Sequence, residues 1–76
     1  MRALGRLEEA LRDFDRAVSL KPEDSAAYYN RAHCLGQMKR NEEALAACER
    51  SLALEPNFLW ALNLRSGLLR AKGDFE

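Results

Sequence analysis

The titratable side chains of this sequence raise three chemistries: a nucleophile–base pair, a metal cluster and a paired-carboxylate acid–base site. His33 is the single histidine and stands next to Cys34; the second cysteine is Cys48. A thiol beside an imidazole is the arrangement of a nucleophilic cysteine enzyme. Neighbours on a helix, however, point about 100° apart around its axis, so adjacency in sequence does not make the pair. As metal ligands, His33, Cys34 and Cys48 lack a fourth partner and a recognised spacing. Glu8–Glu9 and Glu42–Glu43 are the residue type for general acid–base work. Nothing around them implies a cleft or a perturbing charge. Placed in the first turn of a helix, they suit its positive end instead. Gly5, Gly36, Gly67 and Gly73 are isolated, so no glycine-rich phosphate loop exists. The expectation is a chain that is not an enzyme and binds no cofactor or metal.

Charge and hydropathy narrow the partners. Twelve basic and twelve acidic residues cancel to a formal net charge of zero. Nucleic-acid modules show a basic face and anionic-membrane anchors a polybasic cluster, so neither partner is expected. No uncharged apolar run approaches the roughly 20 residues that span a bilayer. Met1 to Gly5 holds no long apolar stretch, and a signal peptide is not expected there. Two cysteines form no disulfide framework. Reduced, buried thiols and a cytoplasmic location are the simplest reading.

The elements that position these residues repeat. Shifting the chain by 34 residues places Arg6, Glu8, Glu9, Ala10 and Leu11 on Arg40, Glu42, Glu43, Ala44 and Leu45. Arg16, Leu20 and Pro22 fall on Arg50, Leu54 and Pro56, and Ala27, Arg31 and Leu35 on Ala61, Arg65 and Leu69. Each unit reads as two helices. Leu7, Ala10, Leu11, Phe14, Ala17 and Val18 follow the spacing of one amphipathic face, as do Ala44, Leu45, Cys48 and Leu52. Tyr28, Ala32 and Leu35 mark the stripe of the helix between them. Asp24 or Ser25, and Asn57 further on, are candidate N-caps; Pro22 and Pro56 follow helix ends. The spacing predicts helices near 7–20, 24–38, 42–54 and 58–71, an all-α antiparallel helical-hairpin solenoid.

A 34-residue helical hairpin of this kind resembles the tetratricopeptide repeat (TPR) family. The family's first helix carries a large residue, then a small one, then a bulky one; here these are Tyr28, Ala32 and Leu35, and again Leu62, Ser66 and Leu69. Its second helix runs small, bulky, small: Ala10, Phe14 and Ala17, then Ala44, Cys48 and Ser51. Small residues let paired helices approach closely. The closing Gly73-Asp74-Phe75-Glu76 looks like the family's inter-helix turn and the start of another second helix. Three departures stand out. Lys39 occupies the usual turn glycine and implies a strained or altered turn. Asn41 replaces an aromatic residue and is a candidate cap. Arg31 and Arg65 replace leucine, with stems able to cover apolar surface while the guanidinium reaches solvent or a carboxylate.

The register implies a partial repeat over residues 1–24, a complete repeat over 25–58 and a further partial repeat over 59–76. The resemblance implies a protein–protein interaction scaffold or adaptor, with a peptide or protein segment in the concave groove lined by first helices. The groove residues it implies are Tyr29, Asn30, His33 and Gln37 in one helix and Trp60, Asn63 and Arg70 in the next. Asn30, Gln37 and Asn63 can bond a partner's backbone in both directions, while Tyr29 and Trp60 offer flat apolar contact. Trp60 packed on Tyr29 or Phe58 as core filler is the plainer alternative. Chaperone-binding members grip a C-terminal carboxylate with an asparagine, a lysine and an arginine. Asn30 matches the first, but Trp60 and Leu64 stand where the cations belong, so chaperone tails are not expected to bind. An architectural alternative remains. Leu59, Trp60, Leu62, Leu64, Leu68 and Leu69 spread around the last helix, which therefore wants cover on more than one face. The helix from Leu7 to Leu20 of a second copy is a matching cover, giving a head-to-tail homo-oligomer through the terminal helices.

Overall fold

The computed structural model describes residues 2–73, with side chains from Gly5 onward other than Lys72. Four helices follow one another: α1 (Arg2–Leu20), α2 (Ser25–Gln37), α3 (Asn41–Leu54) and α4 (Leu59–Gly73). No strand occurs among the described residues. The hairpin α2–α3 lies at the centre, with α1 packed on α2 and α4 packed on both α3 and α2. The helices form a slab of 37 × 35 × 15 Å. The expected turn beyond Gly73, at Asp74 to Glu76, lies outside the described residues.

Small side chains at the crossings make the stack possible. Ala32, Ala44, Cys48, Ser51 and Ala61 are all fully buried, and Leu35, Leu52 and Leu68 fill the space between them. Ser51 would be a costly polar group there, but its hydroxyl donates to the Ser25 carbonyl at 2.8 Å, which removes the penalty. On α1 the predicted stripe of Leu7, Ala10, Leu11, Phe14, Ala17 and Val18 is half-buried throughout. Arg31 of α2 reaches across to pair with Asp15 of α1. Of the two outcomes open to an arginine in a leucine position, solvent or a carboxylate, Arg31 takes the carboxylate.

Caps and turns show where local chemistry decides. Asp24 caps α2: its Oδ1 accepts from the backbone N–H groups of Ala26 and Ala27 at 3.1 and 3.3 Å. Asn57 does not cap α4, which begins at Leu59 behind Phe58, one residue too late for it. Asn41 is already the first residue of α3, and Arg40 holds the cap position without a side-chain cap bond. Arg40 instead pairs with Glu43, Nε to Oε1 at 2.6 Å. Glu42 and Glu43 do sit in the first turn of α3. Glu8 and Glu9 do not sit in a first turn, because α1 starts at Arg2 and runs straight through Gly5. A single glycine in a helix interior costs only about 1 kcal/mol, less than an unpacked turn would forfeit in helical bonds.

At the end of α2 the backbone turns where glycine is usual. Lys39 has φ 66°. Its N–H donates to the Gly36 carbonyl at 3.1 Å, and that of Arg40 donates to the Leu35 carbonyl at 2.9 Å. These are the paired bonds of a Schellman ending, which places the residue just after the C-cap, here Lys39 after Met38, in the left-handed region. A side chain there costs about 1–2 kcal/mol. Lys39→Gly is therefore expected to stabilise the fold by about 1 kcal/mol. Thermal melts should show a gain of roughly 4–8 °C; an unchanged or lower midpoint contradicts the strain argument.

Candidate peptide-binding groove

Side by side, α2 and α4 leave an open groove of about 330 Å³. His33, Gly36 and Gln37 line it from α2, and Asn63, Leu64, Gly67, Leu68 and Ala71 from α4. Lys39 and Asn41 close it at the α2–α3 turn. Glycines shape the floor. A Cβ on Gly36 would lie 3.3 Å from Leu68 Cδ2, so α2 and α4 are in close approach there. A Cβ on Gly67 would meet nothing within 4 Å, so its missing side chain is empty groove.

At the α2 N-terminal side of the groove stands an aromatic cluster. The Tyr29 ring lies 5.5 Å from Phe58, 6.1 Å from His33 and 6.0 Å from Trp60, the last edge-on at 74°. Such geometry is favourable for ring pairs. Trp60 is 67% exposed, so it leans on Tyr29 while keeping most of its surface open. The core-filler alternative does not describe it. Of the residues expected in the groove, His33, Gln37 and Asn63 line it directly, and Tyr29 and Trp60 meet at its aromatic end. Asn30 and Arg70 are exposed but stand outside the lining.

Lys39 and Asn41 at the turn, and Leu68 of α4, line the groove without being among the residues the resemblance implies. The place of Lys39 and Asn41 is set by where the α2–α3 turn lies relative to α4, which spacing in the sequence does not give. A second hollow, about 480 Å³, lies along Leu20 to Ser25. Its walls are consecutive residues of one turn, so it gathers no side chains from separate elements.

The cysteines take structural places. Cys34 Sγ donates to the Leu7 carbonyl and Cys48 Sγ to the Ala61 carbonyl, each at 3.0 Å. Both are free and buried. Burial pushes both thiols above their ordinary range, which suppresses the nucleophilic thiolate. His33 beside Cys34 is exposed while Cys34 is buried, so the two face apart. Among the described residues no group of three or more metal-ligating side chains is placed to hold an ion. Alkylation at neutral pH is expected to be slow in the folded chain and to label two thiols once it is unfolded. A persistent bridge between them overturns this. A raised folded-state pKa means the folded chain keeps protons that the unfolded chain loses. The contribution of these thiols is thus complete below about pH 8.5 and is lost as pH rises through their folded values.

Comparison with known proteins agrees with this architecture. The tetratricopeptide repeat model matches residues 25–58, and a second TPR repeat model matches residues 1–39, half of the chain. The chain is 36% identical over 72 residues to a TPR repeat-containing thioredoxin of Arabidopsis thaliana, covering 95% of this chain and 11% of that protein. It is 36% identical over 73 residues to a tetratricopeptide repeat and J domain-containing co-chaperone of Cryptococcus neoformans, covering 96% of this chain and 14% of that protein. It is 39% identical over 57 residues to the Hsp70-Hsp90 organizing protein of Triticum aestivum, covering 75% and 10% respectively. The chain thus spans about a tenth to a seventh of the length of these relatives. No solved structure gives a significant match. Among the described residues no helix is long and apolar enough to cross a membrane. Repeat, hairpin stack and family match converge: the chain belongs to the tetratricopeptide repeat family.

Proposed function

We propose that the chain is a non-catalytic protein–protein interaction scaffold that holds a peptide or an extended protein segment in the α2–α4 groove. The observation that carries this is the joining of an exposed aromatic anchor, Trp60 on Tyr29, to a groove rimmed by Gln37, Asn41 and Asn63. Exposed tryptophan and tyrosine are the residues that dominate interface energies, and side-chain amides satisfy a partner's backbone donors and acceptors alike. Two relatives are named as a co-chaperone and a chaperone organizer. In this chain Trp60 and Leu64 replace the cations that a chaperone-tail carboxylate needs, so the proposed partner is a different segment. The single tryptophan makes the test direct. Titration with a library of capped peptides is expected to shift Trp60 emission for a binding subset. No response from any peptide at millimolar concentration rejects the groove.

One observation favours a second role. Leu35 of α2 is 1% exposed, whereas its counterpart Leu69 of α4 is 49% exposed and Leu59 is 67% exposed. The half-buried stripe of α1 carries the same small-bulky-small series, Ala10, Phe14 and Ala17, that covers α2 from α3 as Ala44, Cys48 and Ser51. The α1 of a second copy fits α4 as α3 fits α2, continuing the existing interface head to tail across the partial repeats 59–76 and 1–24. Because α1 runs straight through Gly5, it does not fold back over its own stripe. Sedimentation is expected to show a mass rising with concentration, lost in Leu69→Glu. A mass fixed at 8.6 kDa up to high concentration removes this second role.

A further inference from the structure

The charges of this chain are sorted by helix. Of its twelve carboxylates, none lies in α2 or α4, the two helices that build the groove. They lie in α1, in α3, in the turns and after Gly73. The same two helices carry arginines, among them Arg31 and Arg70. Arg31 is already paired with Asp15 on the far side of α2. Among the described residues Lys39 is the one lysine or arginine lining the groove, and none of the lining residues is a carboxylate. In a chain that is neutral as a whole, the described lining of this groove is therefore cationic, and a cationic partner group would find no counter-ion among those residues.

The groove is also polar along its length. Tyr29 and Trp60 stand at one end and Lys39 at the other, with Gly36, Gly67 and the amides between. Tyr29 and Lys39 are ten positions apart in sequence, a helical rise of roughly 15 Å. An extended segment advances about 3.3 Å per residue, so the same distance takes about four to five residues. We infer, on the basis of the groove function proposed above, that the preferred occupant is an extended internal segment with a bulky apolar residue and a carboxylate about four positions apart. The apolar residue rests against Tyr29 and Trp60. The carboxylate meets Lys39.

Capped ten-residue peptides, free of tryptophan and of terminal charge, test this through Trp60 emission. The reference peptide carries Leu and, four positions later, Glu, in a Gly/Ser background. Changing Glu to Gln is expected to weaken binding roughly two- to fivefold, the range of an exposed ion pair, and changing it to Lys to weaken it further. Lys39→Glu, which keeps a side chain at the same left-handed position, is expected to reverse the order of the Glu and Lys peptides. Moving Glu next to Leu should lose the advantage of the charge. The Glu advantage should also shrink at high salt. Equal affinities for the Glu, Gln and Lys peptides overturn the inference while leaving the groove function intact. Absence of any response, from these peptides and from the library alike, overturns both.

Discussion

Ala44→Leu is expected to be among the most damaging single substitutions in the chain. Ala44 is 0% exposed where α3 crosses α2, inside the cluster formed by Ala32, Leu35, Ala47 and Cys48. A leucine adds three carbon atoms to a space that has none to give. Overpacking of this kind costs about 1–3 kcal/mol, and a domain of this size melts roughly 4–8 °C lower for each kcal/mol lost. Ala46→Leu is the control, two residues along the same helix and exposed; it should leave the midpoint within a few degrees. Both variants add the same side chain to the same helix, so intrinsic propensity cancels in the comparison. Equal melting temperatures would show that the α2–α3 crossing is looser than its buried alanines imply.

This crossing was legible in the sequence because helical spacing and the 34-residue repeat speak about the same residues twice. The family resemblance implies close approach at Ala44 and Ser51 and a bulky filler at Cys48, and all three are fully buried. Lys39 was marked by its departure from glycine, and its backbone is left-handed. The failures have a common cause. Gly5 stands one 34-residue repeat before Lys39, the turn residue after α2, yet α1 continues through it as helix. That continuation moved Glu8 and Glu9 away from a helix start. Asn41 and Asn57 are chemically suitable caps, but cap position is set by where the backbone enters the helix, and shifts of one residue are enough to displace them. The aromatic end of the groove was only half legible. The family resemblance implies Tyr29 and Trp60, but whether Trp60 fills the core or stays open depends on ring geometry that no spacing rule reaches.

Gly67→Leu is expected to separate stability from binding. Glycine inside a helix is about 0.8–1 kcal/mol worse than alanine, and leucine is close to alanine. At Gly67 the new Cβ meets nothing within 4 Å, so the first carbon of the side chain brings no clash against the gain. The variant should melt several degrees higher than the parent. The same side chain enters the groove floor between Asn63 and Ala71, where a bound segment would have to pass. Binding should fall about tenfold or more, the loss of roughly 1.4 kcal/mol of contact. Gly36→Leu is the contrast, because a Cβ added there would lie only 3.3 Å from Leu68 Cδ2. Leu68 is 6% exposed and part of the core, so the added bulk forces α2 and α4 apart and stability should fall along with binding. Thermal melts and Trp60 titrations on the two variants read both quantities at once. A Gly67→Leu chain that is more stable and binds peptide as well as the parent would show that the occupant does not cross the glycine floor.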